Sequence, residues 1–159
     1  MDWLLEQQRL QFSHDATNHQ DIHCLSRADR LKHYGLHFAK YCGRLARDGF
    51  EEGADKTLAD WFLVALSASN ALQDRLHDLP RPNGTASFRE AFVNLCDASG
   101  RFCDACEKTD HLEEFRELAV AANRDIVRLL VGVAEARGRS IADLLRDRRK
   151  ELAERAFYS

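Results

Sequence analysis

Both prolines of this 159-residue chain sit two positions apart, in the segment Asp78-Leu79-Pro80-Arg81-Pro82-Asn83-Gly84-Thr85. Proline lacks the backbone donor a helix needs and its ring collides with the preceding turn, so no helix passes through this segment. The rest of the chain is free to be helical. With only 8 glycines, it cannot supply a turn at every ~8–12 positions, as a β-sandwich or barrel demands. The prediction is an all-α fold, a bundle of two antiparallel helix hairpins joined at Leu79 to Thr85, with short terminal helices. The length fits a single domain over residues 1–159.

Hydrophobic spacing and cap signals place the helices. Ser26 followed by Asp29 opens one, and Leu31, Tyr34, Phe38, Tyr41, Cys42 and Leu45 gather on one face at about 100° per residue. Its opposite face is basic: His33, His37, Lys40, Arg44 and Arg47. GFEEGAD, residues 49–55, reads as a turn into a second helix over Thr57 to His77, apolar around most of its circumference and hence central. One polar stripe remains on that helix: Asp60, Ser67, Asn70 and Asp74. Past the prolines, Ser87 with Glu90 forms a capping box for a third helix with Phe92, Leu95, Phe102, Cys103 and Cys106 inward. A fourth runs from Asp110 to Ala136 and stops at Gly138; Ser140 with Asp143 starts a charged terminal helix. Asp2 to Phe12 predicts a docking helix, whereas Ser13 to His23, polar and without apolar periodicity, predicts a flexible connector. Trp61, Phe62, Leu66, Phe92, Phe102, Leu118, Ile126 and Leu129 are the expected core.

A formal net charge of −3 leaves no basic excess for a nucleic-acid partner. No run of ~18 apolar residues exists, and the start MDWLLEQQRLQF has no basic region followed by an apolar one, so neither a membrane nor export is expected. Five cysteines cannot all pair within one chain, which predicts reduced thiols and a cytoplasmic location. The CxxC at Cys103 to Cys106 lies in a helical pattern with no second pair to complete a zinc tetrad, and reads as two buried thiols. His33 and His37 have the i, i+4 spacing of a zinc pair, but no acid stands between them as in a helix-borne HExxH site; a solvated polar face outweighs zinc.

The two halves echo each other. Gly43-Arg44-Leu45 and Gly100-Arg101-Phe102 occupy matching places, each followed by a helix carrying an Asp before apolar residues, at Asp60-Trp61-Phe62 and Asp125-Ile126-Val127. Residues 27–78 and 87–154 are candidates for a tandem repeat, although a shared hairpin rhythm would produce the same echo. Three stretches, KYCGRLAR at 40–47, TLADWFLVALSASNAL at 57–72 and GRSIADLLRDRRKELAER at 138–155, resemble the MazG-like all-α nucleoside triphosphate pyrophosphohydrolases, over about Arg27 to Glu154.

That resemblance implies cleavage between the α- and β-phosphates of a nucleotide, with Mg²⁺ held by acids from two antiparallel helices, in dimers or tetramers. A hard dication needs such oxygen ligands to bridge phosphates and activate water. Aligned on Gly43, however, Tyr41, Arg44 and Thr57 stand where acids belong, and Asp60 remains, with Asn70 ten residues on. In the second half Ala98, Arg101 and Ala122 leave Asp125, and a slipped register adds Asp104 and Glu107. Asp60 and Asp125 are therefore the catalytic candidates, Asp60, Asp125 and Glu107 the metal candidates, and His37, Lys40, Arg44 and Asn70 the substrate-binding candidates. Asp60 also has a purely structural reading, as a buried acid paired to Arg44 across the hairpin. Three functions stay open: nucleotide binding with hydrolysis weakened or lost, the basic stripe taking over phosphate contact; a non-catalytic helical oligomerisation or interaction module; and an active Mg²⁺-dependent enzyme using displaced acids such as Glu51, Glu52 and Asp55. A homo-oligomer, a dimer, is the expected assembly.

Overall fold

The computed structural model describes residues 3–51, 53–77, 79 and 87–155, and among these there are seven helices and no strand. α3 (Arg27–Asp48) and α4 (Ala54–Leu72) form the first hairpin, α5 (Phe88–Lys108) and α6 (Arg116–Ala136) the second. α3 packs on α5 and α4 on α6, which closes a four-helix bundle. α1 (Trp3–Asn18), followed by the single turn α2 (Gln20–His23), lies against α4, and α7 (Ile141–Ala153) packs beside it on the same helix. α4 is thereby enclosed by four neighbours, as its nearly uniform apolar circumference requires. No helix among the described residues is long and apolar enough to cross a membrane.

The three serine caps form as the sequence indicates. Ser26 accepts from the Asp29 amide, Ser140 from the Asp143 amide, and Ser87 with Glu90 makes a reciprocal capping box. Trp61, Phe62, Leu66, Phe102 and Ile126 are buried in one core, where Phe38 meets Phe102 edge-on at 4.9 Å between ring centroids. Phe92, Leu118 and Leu129 are only partly buried and pack at its margin.

Three expectations change. Ser13 to His23 is not a flexible connector, because α1 continues to Asn18 and α2 takes up the rest. The face that α1 docks is polar: Gln7, Gln8 and Gln11 are its buried side chains, and hydrophobic periodicity cannot reveal such a face. Secondly, α4 ends at Leu72 rather than His77. Gln73 adopts a left-handed conformation (φ 54°) and the Asp74 amide turns back to the Ser69 carbonyl at 2.9 Å. Gln8 then clamps the departing strand of chain, donating to the Asp74 carbonyl at 2.6 Å and accepting from the Leu76 amide at 3.1 Å, so Leu76 stays in the core without a helix. Thirdly, α6 starts at Arg116, since residues 109–115 form a turn in which Leu112 has a positive φ of 58° and projects outward. The expected connector at Leu79 to Thr85 lies, apart from Leu79, outside the described residues.

Candidate functional site

Helical spacing builds one cavity of about 270 Å³ where α1, α2, α3, α4 and α7 meet. α3 contributes His33, Tyr34, His37, Lys40, Tyr41 and Arg44, a single stripe along the helix. α4 contributes Asp60, Leu63, Val64 and Ser67, the i, i+3, i+4, i+7 positions that share one face. Gln11, Asp15, His19, Ile22 and His23 close one end, and Arg148, Leu152 and Arg155 the other.

The charged end centres on Asp60. Arg148 from α7 donates to both of its carboxylate oxygens, Nε to Oδ1 at 2.5 Å and Nη2 to Oδ2 at 3.3 Å, and Arg44 Nη1 lies 3.6 Å from Oδ2. Arg148 in turn sits 2.6 Å from Glu151, whose carboxyl this guanidinium, with Lys56 and Arg155, draws down to about 2. Lys40 Nζ meets an imidazole and a ring face rather than a carboxylate: it lies 3.1 Å from His37 Nδ1 and 4.9 Å from the centre of the Tyr41 ring. Burial, and then the Arg44 charge, depress the Lys40 amine. Burial also lowers His37 to about 4, helped by Lys40, His33 and Arg44, so this imidazole is neutral near pH 7. Its Nδ1 is shared with the Tyr41 hydroxyl at 3.0 Å, and burial lifts that phenol well above its ordinary range.

At the other end Asp15 accepts from Gln11 Nε2 at 2.8 Å and from the Ser67 hydroxyl at 2.6 Å. Burial pushes its carboxyl up, while these two donors pull the other way. His33 is lowered, first by burial and then by Lys40 and His19, against the opposing pull of Asp21.

Of the residues singled out from sequence, His37, Lys40, Arg44 and Asp60 come together in this cavity. Asn70 does not: it faces α1 and donates to the Gln8 carbonyl at 3.1 Å. Asp125 belongs to the second hairpin, held by Arg101 at 2.9 Å and Arg128 at 3.0 Å. Glu107 is exposed on α5, 3.9 Å from His111. Asp55, one of the displaced acids, is bound by Arg137 and Arg139, and Glu52 lies outside the described residues. Among the described residues no three His, Cys, Asp or Glu side chains are grouped so as to hold a metal ion. The donor set does not fit Mg²⁺, because Asp60 and Asp125 each already face two guanidinium groups where a dication would need free carboxylate oxygens.

Sequence reasoning missed Asp15, His19, His23, Arg148 and Arg155. The first three sit in the segment read as a connector, and the two arginines in a helix whose charges of both signs resemble ordinary solvated surface. The pairing that a buried Asp60 requires was the one available signal, and Arg148 supplies it from a part of the chain 88 residues away. Compared with known protein families, with curated proteins and with solved structures, the chain matches none.

Proposed function

We propose that this protein is a MazG-like nucleotide-binding protein in which recognition of the phosphate does not run through Mg²⁺ and hydrolysis is weak or lost. The observation that carries this reading is the convergence of Lys40 and Arg44 over the Tyr41 ring, beside a neutral His37, with the adjacent Asp60 already committed to Arg148. Arg148 holds Asp60 at 2.5 Å while Arg44 reaches it only at 3.6 Å, so Lys40 and Arg44 together keep excess positive charge that favours an anion, and charge-assisted bonds to phosphate oxygens are the strong ones. A cavity of about 270 Å³ lies just below the ~300–1,000 Å³ of typical small-ligand sites, near the bulk of a nucleoside monophosphate. An odd number of cysteines, five, supports a reducing compartment such as the cytoplasm.

A thermal-shift panel of nucleoside mono- and triphosphates, with and without Mg²⁺, tests the proposal. Nucleotide alone should raise the melting temperature, and Lys40→Ala and Arg44→Ala should each remove the shift, with little pyrophosphate released from triphosphates. Stabilisation only when Mg²⁺ is added would favour the displaced-acid enzyme instead, and no response to any nucleotide would overturn the proposal. A second reading, a self-associating helical module, draws on Leu36 and Val93, exposed on the neighbouring helices α3 and α5. Sedimentation of wild type against Leu36→Glu tests that dimer.

A further inference from the structure

Resting on the nucleotide reading and deepening it, we propose that Asp15, seated by Ser67 and Gln11, is the base-recognition pole of the cavity and that the base it selects is guanine. The cavity has two chemically distinct ends. One is cationic, at Lys40 and Arg44 near Asp60; the other presents the Asp15 carboxylate beside Ser67. Asp60 and Ser67 are seven residues apart on α4, and at 1.5 Å per residue the two ends are separated by about 10 Å. In an extended 5′-nucleotide the phosphate and the Watson–Crick edge of the base lie about that far apart, whereas the ribose hydroxyls lie much closer to the phosphate. A ligand whose phosphate meets Lys40 and Arg44 therefore brings its base edge, not its sugar, to Asp15.

The chemistry at that pole then chooses among bases. Oδ1 of Asp15 accepts from Gln11 and Oδ2 from Ser67, which uses two of the roughly four acceptor positions of a carboxylate. Both oxygens thus retain acceptor capacity, side by side. Guanine offers two adjacent donors, N1–H and N2–H, that meet both oxygens together. Adenine and cytosine place a ring acceptor beside their single amino donor, and uracil flanks its one N–H with carbonyls, so each would turn an acceptor toward the carboxylate; hypoxanthine keeps the N1–H but has only a C2–H where guanine offers its second donor. Two ligand donors would also hold ionised a carboxylate that burial disfavours. Between the poles, the half-buried rings of His33 and His37, 4.6 Å apart, and the apolar Leu63 and Val64 give flat and apolar walls suited to a purine and its ribose.

Calorimetric titration of the full chain with GMP, IMP, AMP, ribose 5-phosphate and inorganic phosphate tests this. GMP should bind about tenfold or more tightly than IMP, which lacks only the 2-amino donor. Asp15→Asn should bring GMP to the level of IMP and leave ribose 5-phosphate unchanged. Should Asp15→Asn fail to fold, the wild-type ratio of GMP to IMP decides by itself. Binding of GMP, IMP and AMP within about threefold of one another would overturn guanine selection while leaving the phosphate site standing. Failure of every phosphate ester to bind would overturn both.

Discussion

Replacing Arg148 by Met keeps most of the buried stem and removes the guanidinium, leaving the Asp60 carboxylate without its two closest hydrogen-bond donors. Breaking a buried ion pair by deleting one partner costs about 3–5 kcal/mol, mostly because the remaining charge is stranded away from water. Two features place this case at the low end. Arg44 stays 3.6 Å from Asp60, and the Asp60 side chain keeps 12% of its surface exposed, so part of its charge remains compensated. The expected loss is about 3 kcal/mol, or roughly 6–12 °C in melting temperature for a domain of this size. Urea denaturation followed by tryptophan fluorescence is a suitable assay, since Trp61 lies in the core. The companion variant is Asp60→Leu with Arg148→Met, which removes both charges and should recover most of the loss, because an apolar pair of similar volume replaces an ion pair at little cost. A loss below about 1 kcal/mol in the single variant, or a double variant no more stable than the single one, would refute the reasoning.

Gln8→Ala should cost about 2 kcal/mol by stranding the Asp74 carbonyl and the Leu76 amide, measured by the same denaturation; an unchanged midpoint would show that water replaces the clamp freely. Stability should fall as pH drops from about 6.5 toward 4, because burial holds His14 and His37 near 4 against 6.5 in the unfolded chain, so in that window the unfolded state takes up protons that the folded state refuses. Denaturation at pH 7 and pH 5 in wild type and His37→Gln checks the sign, and equal slopes in the two proteins would sink it. Phe102→Ala should cost about 3–5 kcal/mol by opening a cavity against Phe38, and protection of α3 and α5 amides in hydrogen exchange should drop with it.

Helix positions were legible in the sequence wherever burial is apolar or a cap is local. Ser26, Ser87 and Ser140 marked starts because each cap is completed within three residues of itself. Gln8, Gln11 and Asp15 carry no such signal. Beyond the local Gln11–Asp15 bond, their partners are Asp74, Leu76, Arg149 and Ser67, more than fifty residues away, and a polar residue has the same appearance in sequence whether it faces water or a distant carbonyl. The same limit explains the ends of α4 and α6. Leu76 and Phe115 continue the apolar rhythm of their helices, yet Leu76 reaches the core from extended chain and Phe115 stands at the first turn's edge, positions that periodicity does not separate from helix.

The site was half legible, and the half that was missed changes its chemistry. Under the MazG-like reading, Arg44 and Arg101 stand where a metal-binding acid would be wanted, which by itself says only that a ligand is lacking. In the structure each is an ion-pair partner of the aspartate in its own hairpin. Arg44 lies 3.6 Å from Asp60 and Arg101 2.9 Å from Asp125, the same Arg-to-Asp link in both hairpins, and each aspartate takes a second guanidinium, from Arg148 and from Arg128. A carboxylate flanked by two fixed positive charges has its field satisfied without an ion, and a dication brought to it would have to displace both or sit against them in a partly desolvated site. Supplying the missing carboxylates alone, as in Thr57→Glu, should therefore not create Mg²⁺ binding. It should do so only in combination with Arg44→Glu and Arg148→Met, which together release Asp60 and add a facing acid. Titration of Mn²⁺ followed by water-proton relaxation distinguishes the two cases, and tight binding to Thr57→Glu alone would show that the guanidinium groups do not hold the place of the metal.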